Sequence, residues 1–353
     1  MRYLPTSRLT PGMALGQDIY DGAGRLLLGR HILLTEEQIS NLEFLGFPGV
    51  YVDDEFSRGI EIQQIVSPEV RRQALKIVYD LFHTDMRKQE PSEAEFKLRK
   101  TVESVVDDVI CNGDIMCNIM DIKSYDDYIY YHSIHVGILS VVVGARLGLP
   151  HDELCQLAAA ALLHDIGKRF IDHDIVRGGK AHRSEKEQEV YRSHPKIGAE
   201  YLRETCRFSA DVYEGIMEHH ECYNGEGYPL GKKGGEIHLF ARIIRIADCY
   251  DAKVSAFPAQ KSLSPSEALE YVMALGDRWF DPDIVAVFAR KVAAYPIGCE
   301  VELSNGQHAV VARNFENFPL RPLVRVVETG EMLNMRDDEK ARAVTVGDRK
   351  SVV

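Results

Sequence analysis

From about Asp114 to Tyr295 the apolar residues of this chain recur at helical spacing, with no strand–helix alternation in the run. That pattern excludes a parallel α/β sheet and requires an all-α domain at the centre of the molecule. Leu154 to Ile166 reads as an apolar helix ending at Gly167, and Pro265–Leu275 and Pro282–Ala293 read as helices with proline near their starts. Pro296 ends the helical run. The most apolar stretch, Val136 to Ala145, is about half of the roughly 20 residues needed to cross a bilayer. It reads as a buried helix, and no membrane segment is expected.

The flanks differ. Residues 1–55 form a small β-rich unit, with DGAG at 21–24 between the runs ALGQDIY and RLLLG as a hairpin loop. A helix is expected over Thr35–Leu45, capped by Thr35 and closed by Gly46. Residues 56–103 read as a helical connector: Ser67 and Pro68 start one helix, and QPSEAEF leads into a second at Ser92. It is either a dimer stalk or the first helices of the next domain. Residues 104–295 are the helical domain. Residues 296–353 form a β-rich extension, with Asn305-Gly306 between two alternating runs and RPLVRVVE as a third strand. The fold class is mainly α, flanked by two small β-rich units.

Basic residues number 42 and acidic ones 54, a net charge of −12, which excludes a general nucleic-acid binder with its basic face. A small anionic substrate is still admissible, because bound metal reverses the local field. The seven cysteines are scattered and contain no CxxC, against a thiolate zinc site or a disulfide framework. The N-terminus lacks an apolar signal-peptide core. A reducing, cytoplasmic location is expected.

Histidine is the unusual component. Of 13, nine fall between His132 and His220. His164-Asp165 end an apolar helix in LLHDIGK, where an unpaired buried carboxylate would cost several kcal/mol. A metal partner removes that cost. His219-His220 follow the helix DVYEGIME and precede ECYNGEGYP; adjacent residues on a helix point about 100° apart, so both can reach one metal cluster only where the helix is ending. His132 and His135 share a helical face in YYHSIHVGI, and only one need be a ligand. His194 precedes a proline at a helix start. Asp248 sits in the apolar run RIIRIADCYDA and needs a cation, either metal or one of Arg242 and Arg245.

The order H…HD…H…HH…D, with HHECYNGEGYP, closely resembles the HD-GYP subgroup of the HD phosphohydrolase superfamily over roughly residues 104–295. The resemblance implies a helical fold around a bi- or trinuclear centre, often iron or manganese, that hydrolyses cyclic dinucleotides, above all cyclic di-GMP. Carried over by position, the ligands are His132, His164, Asp165, His194, His219, His220 and Asp248. Asp165 would bridge two divalent ions, with His132, His164 and Asp248 on one and His194, His219 and His220 on the other. A metal-bridging hydroxide would attack phosphorus. Lys168 would neutralise the phosphate oxygens, or else simply close a helix C-terminus. The Gly225–Pro229 loop would serve packing, substrate or signalling-protein contacts, and Tyr228 would stack on a base.

Two departures matter. Tyr128 stands where some members carry a carboxylate for a third metal, with Asp126 and Asp127 just before it, which favours two ions. The basic segment that follows the last aspartate in the family is replaced by DAKVSAFPAQK, with Phe257 and Gln260 at usually basic positions, leaving Lys253 and Lys261 as substitutes. The departure argues against efficient cyclic di-GMP hydrolysis and leaves the metal site intact. Three readings follow: cyclic di-GMP hydrolysis, the same chemistry on another cyclic dinucleotide such as cyclic GMP–AMP, and a weakly active receptor or scaffold.

Overall fold

The computed structural model describes residues 1–86, 91–118, 124, 127–178, 183–255 and 262–347. The N-terminal unit holds β1 (Arg2–Pro5), β2 (Ala14–Leu15), β3 (Ile19–Tyr20), β4 (Leu26–Leu28), α1 (Glu36–Phe44) and β5 (Gly49–Asp53). β5 is central and pairs antiparallel with β1 and β2, while β3 and β4 form the hairpin around DGAG. Thr35 caps α1 in a capping box with Gln38. Ile39 and Leu42 on that helix meet Val50, Val52, Leu4 and Leu15 in a small core.

Helices α2 (Pro68–His83) and α3 (Pro91–Cys111) bury Leu75, Val78, Leu98 and Val106. They pack into one core with the later helices. Ser67 caps α2 ahead of Pro68. Then come α4 (Tyr128–Arg146), α5 (His151–Leu163), α6 (His173–Arg177), α7 (Glu185–Arg192), α8 (His194–Thr205), α9 (Ala210–Met217), α10 (Leu239–Val254), α11 (Pro265–Ala274) and α12 (Pro282–Lys291). The helix expected to run to Ile166 stops at Leu163, and residues 166–170 form a 3-10 turn.

α4 is the central helix, buried on every side from Tyr131 to Gly144. By length and composition it could cross a membrane, but 78% of the apolar window is buried inside the protein. Two glycines let α5 approach it closely. A Cβ on Gly137 would stand 2.8 Å from Leu162 Cδ2, and one on Gly144 would stand 2.7 Å from Leu157 Cδ2. The missing side chains at these two positions leave room for the leucines of α5 to pack directly on the α4 backbone. This contact brings the start of α4 beside the end of α5.

The C-terminal unit is an antiparallel sheet of β6 (Glu300–Leu303), β7 (His308–Arg313), β8 (Leu323–Val326), β9 (Met332–Asn334) and β10 (Val346–Gly347), in the order β10-β6-β7-β8-β9. Asn305-Gly306 turns β6 into β7, with Gly306 at φ +82°. Buried Lys291 ties this unit to the helices, donating to Gly113 O and Glu316 Oε2, both at 2.8 Å. The two terminal units also touch. Arg2 pairs with Glu300, and Tyr3 N donates to Gly298 O at 2.9 Å.

Candidate metal centre

Three histidines of the cluster stand just past a helix end: His164 directly after α5, His194 two residues past α7 and at the first position of α8, and His219 two residues past α9. The last carbonyls of a helix have no partner within it. Each of these imidazoles supplies one through Nδ1: His164 to Ala161 O at 2.8 Å, His194 to Tyr191 O at 2.6 Å, His219 to Ile216 O at 2.6 Å. A carbonyl only accepts, so Nδ1 carries the proton and Nε2 presents its lone pair inward. The helix ends fix both the tautomer and the aim of the ring.

Those lone pairs converge on Asp165. Its Oδ1 lies 3.2 Å from His194 Nε2 and 3.9 Å from His219 Nε2, while Oδ2 lies 3.4 Å from His164 Nε2 and 3.8 Å from His132 Nε2. His220 Nε2 is 3.2 Å from His194 Nε2. Asp248 Oδ1 is 3.2 Å from His132 Nε2 and 4.0 Å from His164 Nε2. Two ligand groups result, Asp165 with His194, His219 and His220, and Asp165 with His132 and His164. They share one carboxylate.

His164 Nε2 and Asp165 Oδ1 are buried and have no hydrogen-bond partner among the described residues. Leaving such groups unpaired costs about 1–3 kcal/mol each, so a cation is the economical occupant. The donors are imidazole and carboxylate without thiolate, a set for divalent metal such as iron, manganese or zinc. The residues fit the group.

His132 and His135 are distinguished by a residue the sequence reading missed. Asp251, fully buried one turn after Asp248 on α10, accepts from His132 Nδ1 at 2.7 Å and from His135 Nδ1 at 2.8 Å. His132 thereby aims Nε2 at the cluster, while His135 faces elsewhere. The available signal was the DCYD spacing, which puts two carboxylates on one face of an apolar helix.

Electrostatics separate the members. Burial would raise the Asp165 carboxyl, but Lys168 and His164 outweigh it and hold the carboxyl well below its ordinary range. Burial pushes His219 and His220 well down, leaving both neutral. Burial also lowers His132, yet Asp248 and Asp251 reverse the sign and raise it to about 9. Lys168 Nζ contacts Asp165 Oδ2 directly and sits 5.3 Å above the Tyr191 ring. Its partner is thus the shared carboxylate and not the end of a helix. Arg242 turns away to pair with Asp281 at 2.6 Å, whereas Arg245 Nη1 is 3.8 Å from Asp248 Oδ2 and 3.5 Å from His220 Nδ1.

The glycines of both motifs are close-approach residues. A Cβ on Gly167 would meet His194 O at 2.0 Å, and one on Gly227 would meet Cys222 N at 2.3 Å. The GYP loop is held by Glu221, whose Oε1 accepts from Leu230 N at 2.6 Å and Gly231 N at 3.1 Å. Glu218 contacts Lys232 and accepts from His238 N at 2.9 Å. Tyr228 stacks on His220, ring centres 4.7 Å apart, so its visible contact is with the cluster itself. Tyr128 stacks on His132 at 5.2 Å. Lys253 points to the Tyr271 ring, Nζ 4.7 Å from its centre. Asp126, Phe257, Gln260 and Lys261 lie outside the described residues. Asp127 accepts from the Ser124 hydroxyl at 2.7 Å.

Fold and cluster together define a helical metal-binding domain built on a His–Asp pair. Residues 118–284 match the HD domain family. The matched stretch holds all seven residues of the cluster, and Gly227-Tyr228-Pro229 lie inside it. The cyclic di-GMP phosphodiesterase PA4108 of Pseudomonas aeruginosa is 33% identical over 226 residues, 64% of this chain and 54% of that protein. The cyclic di-GMP phosphodiesterase response regulator RpfG of Xanthomonas campestris pv. campestris is 39% identical over 151 residues, 42% of this chain and 39% of that protein. The chain spans about half the length of the curated relatives it matches. Bd1817, an HDG"Y"P protein from Bdellovibrio bacteriovorus, shares the fold with a TM-score of 0.52 at 18% identity, over 81% of this chain and 97% of that one.

Proposed function

We propose that this protein is a metal-dependent phosphodiesterase of cyclic dinucleotides, with cyclic di-GMP as its substrate. The observation that carries the reading is the pair of ligand groups sharing Asp165. In this reading two divalent ions, iron or manganese, are held by His132, His164 and Asp248 on one side and by His194, His219 and His220 on the other, with Asp165 common to both. Such a pair supplies a water of lowered pKa and polarises the phosphoryl oxygens. Lys168 keeps Asp165 ionised and adds positive charge at the cluster. Arg245, half-buried beside His220 and Asp248 with an unpartnered Nε, is a second cation able to meet a phosphate oxygen where the family's basic segment is altered. Tyr228 positions His220 by stacking. The seven free cysteines support a reducing, cytoplasmic setting.

The test is turnover of cyclic di-GMP and of cyclic GMP–AMP by anaerobically purified protein with its metal quantified. Faster hydrolysis of cyclic di-GMP is expected. Faster hydrolysis of cyclic GMP–AMP moves the substrate, and tight binding without hydrolysis of either makes the domain a receptor.

The role given to Asp251 has its own outcome. Asp251→Asn leaves His132 and His135 one acceptor oxygen between them. Outer partners of ligating histidines are worth about 10–100-fold in metal affinity. A loss of that size in metal titration is expected, with the circular dichroism spectrum retained; unchanged affinity removes Asp251 from the site.

A further inference from the structure

A second cavity, of about 540 Å³, lies between the N-terminal β unit and helices α2 and α4. Its size falls in the range of small-molecule sites, about 300–1,000 Å³. Three guanidinium groups line it, Arg30, Arg71 and Arg72. Among the described residues none of the three side chains makes an ion pair, and Arg71 Nε is buried with no hydrogen-bond partner. The one carboxylate in the wall, Asp18, is already engaged by Arg30 N at 2.7 Å and the Tyr20 hydroxyl at 3.0 Å. Arg71 is half-buried, and desolvation with no counter-charge pushes its guanidinium downward.

Ser67 and Pro68, at the start of α2, also line the cavity, but the Ser67 N–H and hydroxyl already donate to Asp108 Oδ2 at 2.9 and 2.8 Å, so the positive charge of the wall rests on the arginines. The lining also has apolar and aromatic side chains, Ile19, Leu75 and Tyr131, with Leu75 one turn after Arg71 on α2. A multiply charged anion that carries an organic body would satisfy both kinds of lining. His135 completes the lining, and Asp251 binds it and His132 through its two oxygens. One carboxylate therefore connects this cavity to the metal centre.

We propose that the cavity is a second binding site, for a small phosphate-bearing molecule seated on Arg71, and that its occupancy reaches the metal centre through His135 and Asp251. This does not depend on the phosphodiesterase reading. The test is hydrogen–deuterium exchange of the metal-loaded full chain, with inorganic phosphate or 5′-AMP as probe. Protection of peptides covering residues 15–20 and 62–75 is expected, and 5′-AMP acting at lower concentration than phosphate would seat the organic part on the apolar wall. Arg71→Gln should raise the half-saturating concentration about tenfold or more, as loss of a charge-assisted hydrogen bond predicts. Arg71→Lys should stay closer to wild type, and metal content should be equal in all three. Probe binding should also change the rate at which a chelator strips metal from wild type and not from Arg71→Gln. Protection confined to peptides around His194 and His219, or equal protection in Arg71→Gln, overturns the site. An unchanged stripping rate overturns the link.

Discussion

Asp165→Asn is expected to reduce metal content below one ion per chain and turnover to background. An amide keeps one acceptor oxygen where the cluster uses two, since Oδ1 faces His194 and His219 while Oδ2 faces His132 and His164. The same change strips Lys168 of its partner in a pair whose side chains are 11% and 1% exposed. Breaking a buried pair from one side costs about 3–5 kcal/mol. A drop in melting temperature will therefore accompany the loss of metal, and the two must be separated. Adding Lys168→Met removes the orphaned ammonium and should recover most of the stability, but none of the metal. Metal analysis, thermal melts and turnover on both variants decide the matter. Wild-type metal content in Asp165→Asn would exclude Asp165 as the shared ligand.

Gly167→Ala should damage the site without touching any ligand. The added methyl would fall 2.0 Å from His194 O and 2.8 Å from Gly198 N, so α8 must move away from the 166–170 turn. Overpacking of this kind costs about 1–3 kcal/mol. Displacing α8 takes His194 off Asp165 and opens the half of the cluster that includes His219 and His220. A misplacement of about 1 Å can lower turnover by about 100-fold. The expected result is partial metal retention, through His132 and His164, with turnover reduced to that degree. Gly29→Ala, where nothing lies within 4 Å of the new methyl, is the control and should behave as wild type. Full turnover in Gly167→Ala would mean that α8 tolerates the shift.

The ligand positions could be read from the sequence because they break local rules. An apolar helix that ends in His-Asp, a doublet of histidines at a helix end and an aspartate in RIIRIAD are each poorly explained by packing. Asp251 escaped because its work is to accept hydrogen bonds from two histidines 119 and 116 residues away, a pairing that spacing along one helix does not reveal. Helices α2 and α3 were ambiguous for a related reason. Their apolar stripes suit a stalk as well as a core, and only the presence of α4 and α5 against them decides. Contacts between the terminal units, such as Arg2 with Glu300, span 298 residues and leave no local trace. The cavity lined by Arg71 is a property of that same assembly.

Ligation from helix ends has a consequence for how such a chain can change length. His164, His194 and His219 are each indexed by the carbonyl three residues before them, so each ring is set by the last turn of its own helix. Residues added to the connections between helices leave that indexing alone. One residue added inside the last turn of α5, α7 or α9 rotates its histidine by about 100° and withdraws it. The centre should therefore tolerate variation in its linkers and none in the phase of three short helical segments, and insertion scanning should find that boundary within a single residue of each histidine.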